Sequence, residues 1–251
     1  MRTDSGQAAV ESAITMPLTI FMALGTMQLF MMLQGRLMAE HAAFKAARAG
    51  SVNHASCDVM KEAAIMAVLP SFSSFLGTAT PGATPAAKLG QAFRLRSNNK
   101  YDPAFDSGHS RDIIWIYRNR PLQADVTALS EEDFDDPDPQ VRASGAAVGY
   151  RLEIRLVYWF PMRIPFANWV MSNAFRAFFG LGDYTGYMDP LAPVSKTKWQ
   201  QMNSAALPAD LTAEFLTRFN ARQYSFPIQT TYAMRMLTPP RPAQFVRQDC
   251  Q

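Results

Sequence analysis

Charged residues are missing from the chain between Glu11 and Arg36, a gap of 24 residues filled mostly with Met, Leu, Phe, Ile and Ala. One helix needs about 20 apolar residues, at roughly 1.5 Å each, to cross a bilayer core. Ser12, Thr15, Thr19, Thr26, Gln28 and Gln34 interrupt the run. Inside lipid a hydroxyl can bond to its own helix backbone, and small residues such as Ala23 and Gly25 let another helix come close. The pattern predicts a long helix over residues 7–50, spanning a membrane over about 12–35 and also packing against protein. A buried helix of a soluble protein is the alternative, and the length of the uncharged run disfavours it. A cleaved secretory signal would have a basic start and a shorter apolar core. Here MRTDSG carries one Arg and one Asp, and helix-forming sequence continues past Arg36 through AEHAAFKAARAG. Pro17 lacks an N–H and crowds the carbonyl four residues back, which predicts a kink or local melting between Ala13 and Pro17.

Beyond Arg36 the hydrophobic pattern changes grain. Ala39, Ala42, Ala43, Ala46, Ala47 and Ala49 form a narrow, smooth surface suited to close packing on another helix, with Glu40 and His41 on its wet side. Gly50 and SVNHAS end the helix. A second helix is expected over 56–69, capped by Ser56, lined by Val59, Ala63, Met66 and Leu69, with Pro70 ending it or marking its last turn. Residues 71–92, rich in Ser, Thr, Pro, Gly and Ala, read as a flexible loop.

DIIWIYR at 112–118 is too continuously apolar for clean alternation, as expected of a strand covered on both faces. Tyr150 to Phe160 alternates: Tyr150, Leu152, Ile154, Leu156, Tyr158 and Phe160 on one side, Arg151, Glu153 and Arg155 on the other, before Val157 and Trp159 turn that side apolar too. Residues 166–182 predict a helix with a large aromatic surface, either packed on the sheet or offered to a partner or the membrane. Leu211, Phe215 and Phe219 mark a helix over 208–220. Phe226 to Met236 reads as a last strand, after which TPPRPAQF leaves as an extended tail. The expected class is α+β: a long N-terminal transmembrane helix, then an extramembrane domain over 51–251 with a small antiparallel sheet, packed helices and flexible loops about 71–92 and 128–145.

Composition fits a membrane-anchored exported chain, with 48% hydrophobic and 18% charged residues. The net charge of +3 is scattered, with no basic block bearing stacking aromatics, so nucleic acid is not an expected partner. No GxSxG, HExxH, CxxC, P-loop or dinucleotide motif occurs. The expectation is therefore no enzyme, no cofactor and no small-molecule substrate. Six acidic residues between Glu131 and Asp138 have the oxygen density for calcium but lack the Gly and spacing of an EF-hand loop, so a solvated acidic loop is expected. His41, His54 and His109 share no metal motif. The two cysteines, Cys57 and Cys250, have no ligand spacing either. In an oxidising compartment they can clip the C-terminus to the helices; free or differently paired thiols are the alternative.

Gly6 is followed by Gln7, Ala8, Ala9, Val10, Glu11 and then the apolar run. This resembles the processing site of type IV pilin-like proteins, whose membrane peptidase cuts after the Gly and leaves the helix on the mature chain. GQAAVESAITMPLTIFMALGTMQL with the later AAFKAARAG is similar to the N-terminal signature of the TadE/TadG-like pseudopilins of tight-adherence (Flp-type) pilus systems. The likeness covers about the first 50 residues well and the remainder only in outline. It implies a leader over residues 1–6, cleavage between Gly6 and Gln7, and a Glu11 that neutralises the N-terminal amine of a neighbouring subunit. Pro17 is then a weak point that helps the helix adapt between bilayer and filament. The implied partners are the inner membrane, the prepilin peptidase, other pilin-like subunits and the assembly platform, with the C-terminal domain in the periplasm. The implied function is that of a minor pseudopilin or assembly component, since the bulk left after processing would limit packing as a major subunit. An unprocessed membrane scaffold of the same machine and a surface adhesion module are the alternatives.

Overall fold

The computed structural model describes residues 5–73, 82, 84–101, 112–128, 134, 151–179 and 208–250. The elements in chain order are helices α1 (Ser5–Val52), α2 (Cys57–Phe72) and α3 (Pro85–Arg94), strand β1 (Ile114–Arg120), helix α4 (Gln123–Ala128) and strand β2 (Arg151–Pro161). Helices α5 (Ala167–Phe178) and α6 (Ala209–Asn220) follow, then strand β3 (Ser225–Arg235), a 3-10 turn (Pro242–Gln244) and strand β4 (Asp249–Cys250). The class is mixed α+β, with a long apolar helix ahead of a four-stranded antiparallel sheet in the order β3-β2-β1-β4. The chain divides into two compact units, Met1–Leu33 with Pro161–Phe226 and Gln34–Phe160 with Pro227–Gln251.

The sheet unit is built around β1 and β2. Their register places Ile114 opposite Tyr158, Ile116 opposite Leu156 and Arg118 opposite Ile154, with an irregularity between Arg118 and Arg120. β1 is buried without break from Ile114 to Arg118, as its unalternating sequence requires. β2 starts half-wet and ends fully buried, so its arginines and Glu153 line the partly exposed side until Val157 and Trp159 close it. Trp115 and Trp159 meet edge to face at 5.3 Å, an arrangement worth roughly 0.5–1.5 kcal/mol beyond burial. Asp112 anchors this corner by accepting from Trp115 Nε1 at 2.9 Å while Lys100 Nζ stands 2.6 Å from its other oxygen.

The alanine surface of α1 is used here, against the sheet and α2 rather than against a long partner helix. Ala39, Ala42, Ala43, Ala46 and Ala47 have at most 1% exposure. Thr230 Oγ1 of β3 donates to the Ala39 carbonyl at 3.3 Å, and Phe44 meets Tyr232 edge to face. A Cβ on Gly35 would stand 2.5 Å from the Phe160 ring, and one on Gly50 would lie 2.6 Å from Met60 Sδ and 2.8 Å from Leu152. Small side chains are what let the helix axis come this close.

Several elements depart from the sequence expectations. α2 holds Pro70 in its last turn, as one of the two expectations had it, and its buried face is Met60, Ala64, Ile65, Val68, Leu69 and Phe72, which keeps Leu69 of the expected stripe but leaves Val59 and Ala63 half-buried and Met66 exposed. Ser56 occupies the N-cap position without a side-chain capping bond. Within the stretch expected to be a flexible loop over 71–92, α3 forms: Thr84 caps it by accepting from Ala87 N–H, and Pro85 takes the first turn, where its missing N–H costs nothing. The tail after β3 does not leave the fold. It turns at Pro242–Gln244, buries Phe245 completely and returns as β4, which pairs Cys250 with Ile116 and Asp249 with Tyr117. α4 reaches Ala128, at the edge of the second expected loop. The rest of that loop and its acidic run lie outside the described residues, Phe134 apart, as does His109.

A candidate membrane and assembly surface

The first half of α1 is uncovered. Every residue from Val10 to Ile20 is exposed, including Ile14 at 68%, Met16 at 66% and Leu18 at 60%. α1 is long and apolar enough to cross a membrane, and only 6% of its most apolar window is buried. A soluble core helix of this hydropathy would be covered, so the exposed large apolar side chains are the informative feature. Its three threonines are satisfied locally. Thr15 donates to the Glu11 carbonyl, Thr19 to Met16 and Thr26 to Ala23, at 2.8 to 2.9 Å. Such bonds remove the cost of placing a hydroxyl in hydrocarbon.

Glu11 and Pro17 both lie on this uncovered stretch, and the backbone of Gly6 and Gln7 belongs to the same helix. Of the kink or local melting expected between Ala13 and Pro17, the melting does not occur: the helix is continuous through Pro17. A proline in mid-helix forfeits one backbone bond, and here the flanking turns hold without it.

From Phe21 on, part of the helix meets protein within its own unit. Phe21 packs edge to face on Phe166 at 5.6 Å, and the fully buried Gln28 accepts the Ile164 N–H through Oε1 at 3.1 Å. The aromatic segment beyond divides between two uses. Phe175 joins a ring cluster with Phe179 at 4.5 Å, Phe215 of α6 at 4.7 Å and Phe226 at 4.9 Å. Phe166, Trp169 and Phe178 stay about half exposed. Beneath the cluster, Arg218 Nε bonds Glu214 Oε1 at 2.7 Å in a buried pair one helical turn apart.

In the sheet unit a disulfide joins Cys57, the first residue of α2, to Cys250 in β4, across 193 positions of sequence. Arg118 organises the chain around it. Its guanidinium donates to the carbonyls of Gln248, Ala55, Gln244 and Arg247 and lies 3.9 Å over the Phe245 ring. Burial lowers its pKa from the usual guanidinium range to about 10, against the opposing pull of Asp249, so it remains a cation at neutral pH. Arg118 and Gln28 were not singled out by sequence reasoning. The available signal in each was a lone polar group inside an apolar run, which demands buried partners.

Among the described residues no three His, Cys, Asp or Glu side chains gather into a metal-binding group. His54 Nδ1 lies 2.7 Å from the Pro239 carbonyl, and His41 lies exposed beside Phe44, so each has a structural surrounding. Between them, the uncovered apolar side chains and the internally bonded hydroxyls make a surface that fits a membrane-spanning helix.

Residues 6–48 match the family model of TadE-like proteins. The matched TadE-like segment coincides with α1 and contains both its uncovered half and its alanine seam. It supports involvement in a tight-adherence pilus system and association with that system's assembly machinery. Together with the apolar helix it fits a single-pass membrane protein. No curated protein matches the chain, nor does any solved structure.

Proposed function

We propose that this chain is a minor pseudopilin or assembly component of a tight-adherence pilus machine, and that it acts without catalysis. It is anchored in the inner membrane through α1, with residues 51–251 on the periplasmic side. Prepilin peptidase cuts between Gly6 and Gln7. Glu11, at the edge of the hydrocarbon, then neutralises the N-terminal amine of a neighbouring pilin-like subunit, since an unpaired carboxylate there is expensive. The observation that carries the reading is the coincidence of the TadE-like segment with a helix whose large apolar side chains are uncovered. The Cys57–Cys250 disulfide supports an oxidising compartment.

A second reading, a permanent and unprocessed scaffold of the same machine, draws support from the alanine seam. The chain's own sheet and α2 already occupy that seam, leaving only the uncovered half of α1 for other subunits. N-terminal sequencing with intact mass, on protein recovered from native membranes, separates the two. A start at Gln7, abolished by Gly6→Leu, is the expected result. Retention of Met1 to Gly6 would favour the scaffold, and a start beyond Gly35 would remove the helix and overturn both.

A further inference from the structure

Arg118 grips both approaches to the disulfide at once. Its Nη1 donates to the Ala55 carbonyl at 3.0 Å and its Nε to the Gln248 carbonyl at 3.0 Å. Each of these carbonyls belongs to a residue two places ahead of a cysteine, Ala55 before Cys57 and Gln248 before Cys250. Two residues of chain reach at most about 7 Å, so one side chain confines both cysteines to the same small volume. Their Cα atoms are 5.2 Å apart, inside the range that a disulfide needs.

Neither approach is fixed by local structure alone. β4 pairs only Asp249 and Cys250, opposite Tyr117 and Ile116, and a strand that short has little hold of its own. The strap that leads into it is fastened by Arg118, which also donates to the carbonyls of Gln244 and Arg247 and lies over the Phe245 ring. Gln248 returns the grip, its Nε2 donating to the carbonyls of Arg118 and Pro121. On the other side, His54 and Ala55 have φ of 54° and 60°. Left-handed backbone in residues other than glycine persists only where its surroundings hold it. Here Thr238 Oγ1 accepts the His54 N–H, and Arg118 takes the Ala55 carbonyl.

We propose that Arg118 is a positioning residue for closure of the Cys57–Cys250 disulfide. It seats the C-terminal strap against the turn before α2 while both cysteines are still thiols, and it keeps the strap seated when the bond is opened. The oxidant is an external disulfide, which reaches the cysteines through the open hollow that both of them line. The thiolate of Cys57, the less buried of the two, attacks that disulfide and releases one thiolate, leaving a mixed disulfide. The thiolate of Cys250 then attacks the Cys57 sulfur and releases the second. The external disulfide gains two electrons, and its two thiolates take up the two protons that the cysteines gave up. Holding Cys250 beside Cys57 raises the effective concentration of the second step, with no new contact made to the oxidant.

The test equilibrates the full chain in detergent micelles with graded mixtures of reduced and oxidised glutathione. Acid quenching, alkylation and intact mass then count dithiol against disulfide. The closure constant of Arg118→Met should fall at least tenfold below wild type, a shift of about 30 mV for two electrons. Gly35→Ala, which overpacks the same unit away from the strap, should leave the constant unchanged. Equal constants for wild type and a folded Arg118→Met would overturn the proposal. So would an equal fall in Gly35→Ala, since the effect would then be one of general stability. Should Arg118→Met not fold, hydrogen exchange of the wild-type chain before and after reduction provides the second measurement. Amides of residues 243–250 should keep their protection to within a few-fold in the dithiol form, and their release to free-chain rates on reduction would show that the disulfide alone seats the strap, which also overturns it.

Discussion

The two halves of α1 have opposite surroundings: the first is an uncharged run, the second carries Arg36, Glu40, Lys45 and Arg48 on one side and alanines on the other. Between Val10 and Leu33 the large side chains point outward, with Phe30 at 66% and Leu33 at 57% exposure. Between Gly35 and Gly50 the side chains facing the sheet and α2 are Gly and Ala, and they are almost wholly buried. A water-soluble helix buries its large residues and exposes its small or polar ones. The first half inverts that rule, and a lipid solvent removes the penalty for doing so. The second half obeys a different economy: small residues gain contact by bringing backbones close, so what they lose in area they recover in packing. Between the two apolar surfaces themselves, the lipid-like one and the one on the domain, side-chain size is the difference.

The comparison breaks most forcefully at the disulfide. If the second half of α1 is held by its domain and the first by lipid, loosening the domain should affect only the second. Closing a loop of 193 positions removes unfolded-state entropy equivalent to about 5 kcal/mol in the chain-entropy model. A Cys57→Ser, Cys250→Ser double variant is expected to lower the melting temperature of the sheet unit strongly while leaving the membrane-bound fraction unchanged. A variant lost from membranes would show that the two halves do not hold independently.

Arg118 should come next in size. Replacing it with Met leaves the buried carbonyl of Ala55 and the part-buried carbonyls of Gln244, Arg247 and Gln248 without their donor and is expected to cost about 3 kcal/mol, read by denaturant unfolding. Its titration carries a sign. The folded pKa, about 10, lies below that of a free guanidinium, so the unfolded chain binds this proton more tightly. The buried charge costs stability below pH 10, and that cost shrinks as pH rises from about 10 toward the ordinary guanidinium pKa. The gap between wild type and the Met variant should therefore widen in that window, and a gap that narrows would contradict the assignment of burial as the cause.

Much of this organisation could be read from the chain. The uncharged run, the two alternations of β2 and the continuous burial of β1 are periodic signals that tertiary context reinforced. What escaped was non-periodic. A two-residue strand such as β4 has no period, and its place depends on Cys250, Phe245 and Arg118 meeting from distant positions. α3 was hidden in a Pro- and Thr-rich stretch, though Thr84 before Pro85 is a helix start. The alanine seam was legible as a packing surface, while its partner was not, because small residues accept a sheet as readily as a helix. Of the candidate site, the uncovered helix was visible in composition, whereas the polar holdfast of Gln28 on Ile164 needed the fold to bring 136 positions together.

The finest test sets two glycines of one helix against each other. A Cβ at Gly35 would meet Phe160 ring carbons at 2.5 and 2.8 Å, so the ring or the helix must shift. Overpacking of that kind costs about 1–3 kcal/mol, partly offset by the ~0.8 kcal/mol that Ala gains over Gly in a helix. Gly35→Ala should lower the midpoint of unfolding. A Cβ at Gly25 meets nothing within 4 Å, so Gly25→Ala should be neutral to slightly stabilising in the isolated protein. Gly25→Leu then separates fold from assembly: it should leave the melting temperature unchanged, yet weaken recovery with pilin-like subunits if another helix approaches there. Equal effects of alanine at positions 25 and 35 on stability would mean that size does not divide the helix, and the contrast between lipid-facing and domain-facing halves would have to be drawn elsewhere.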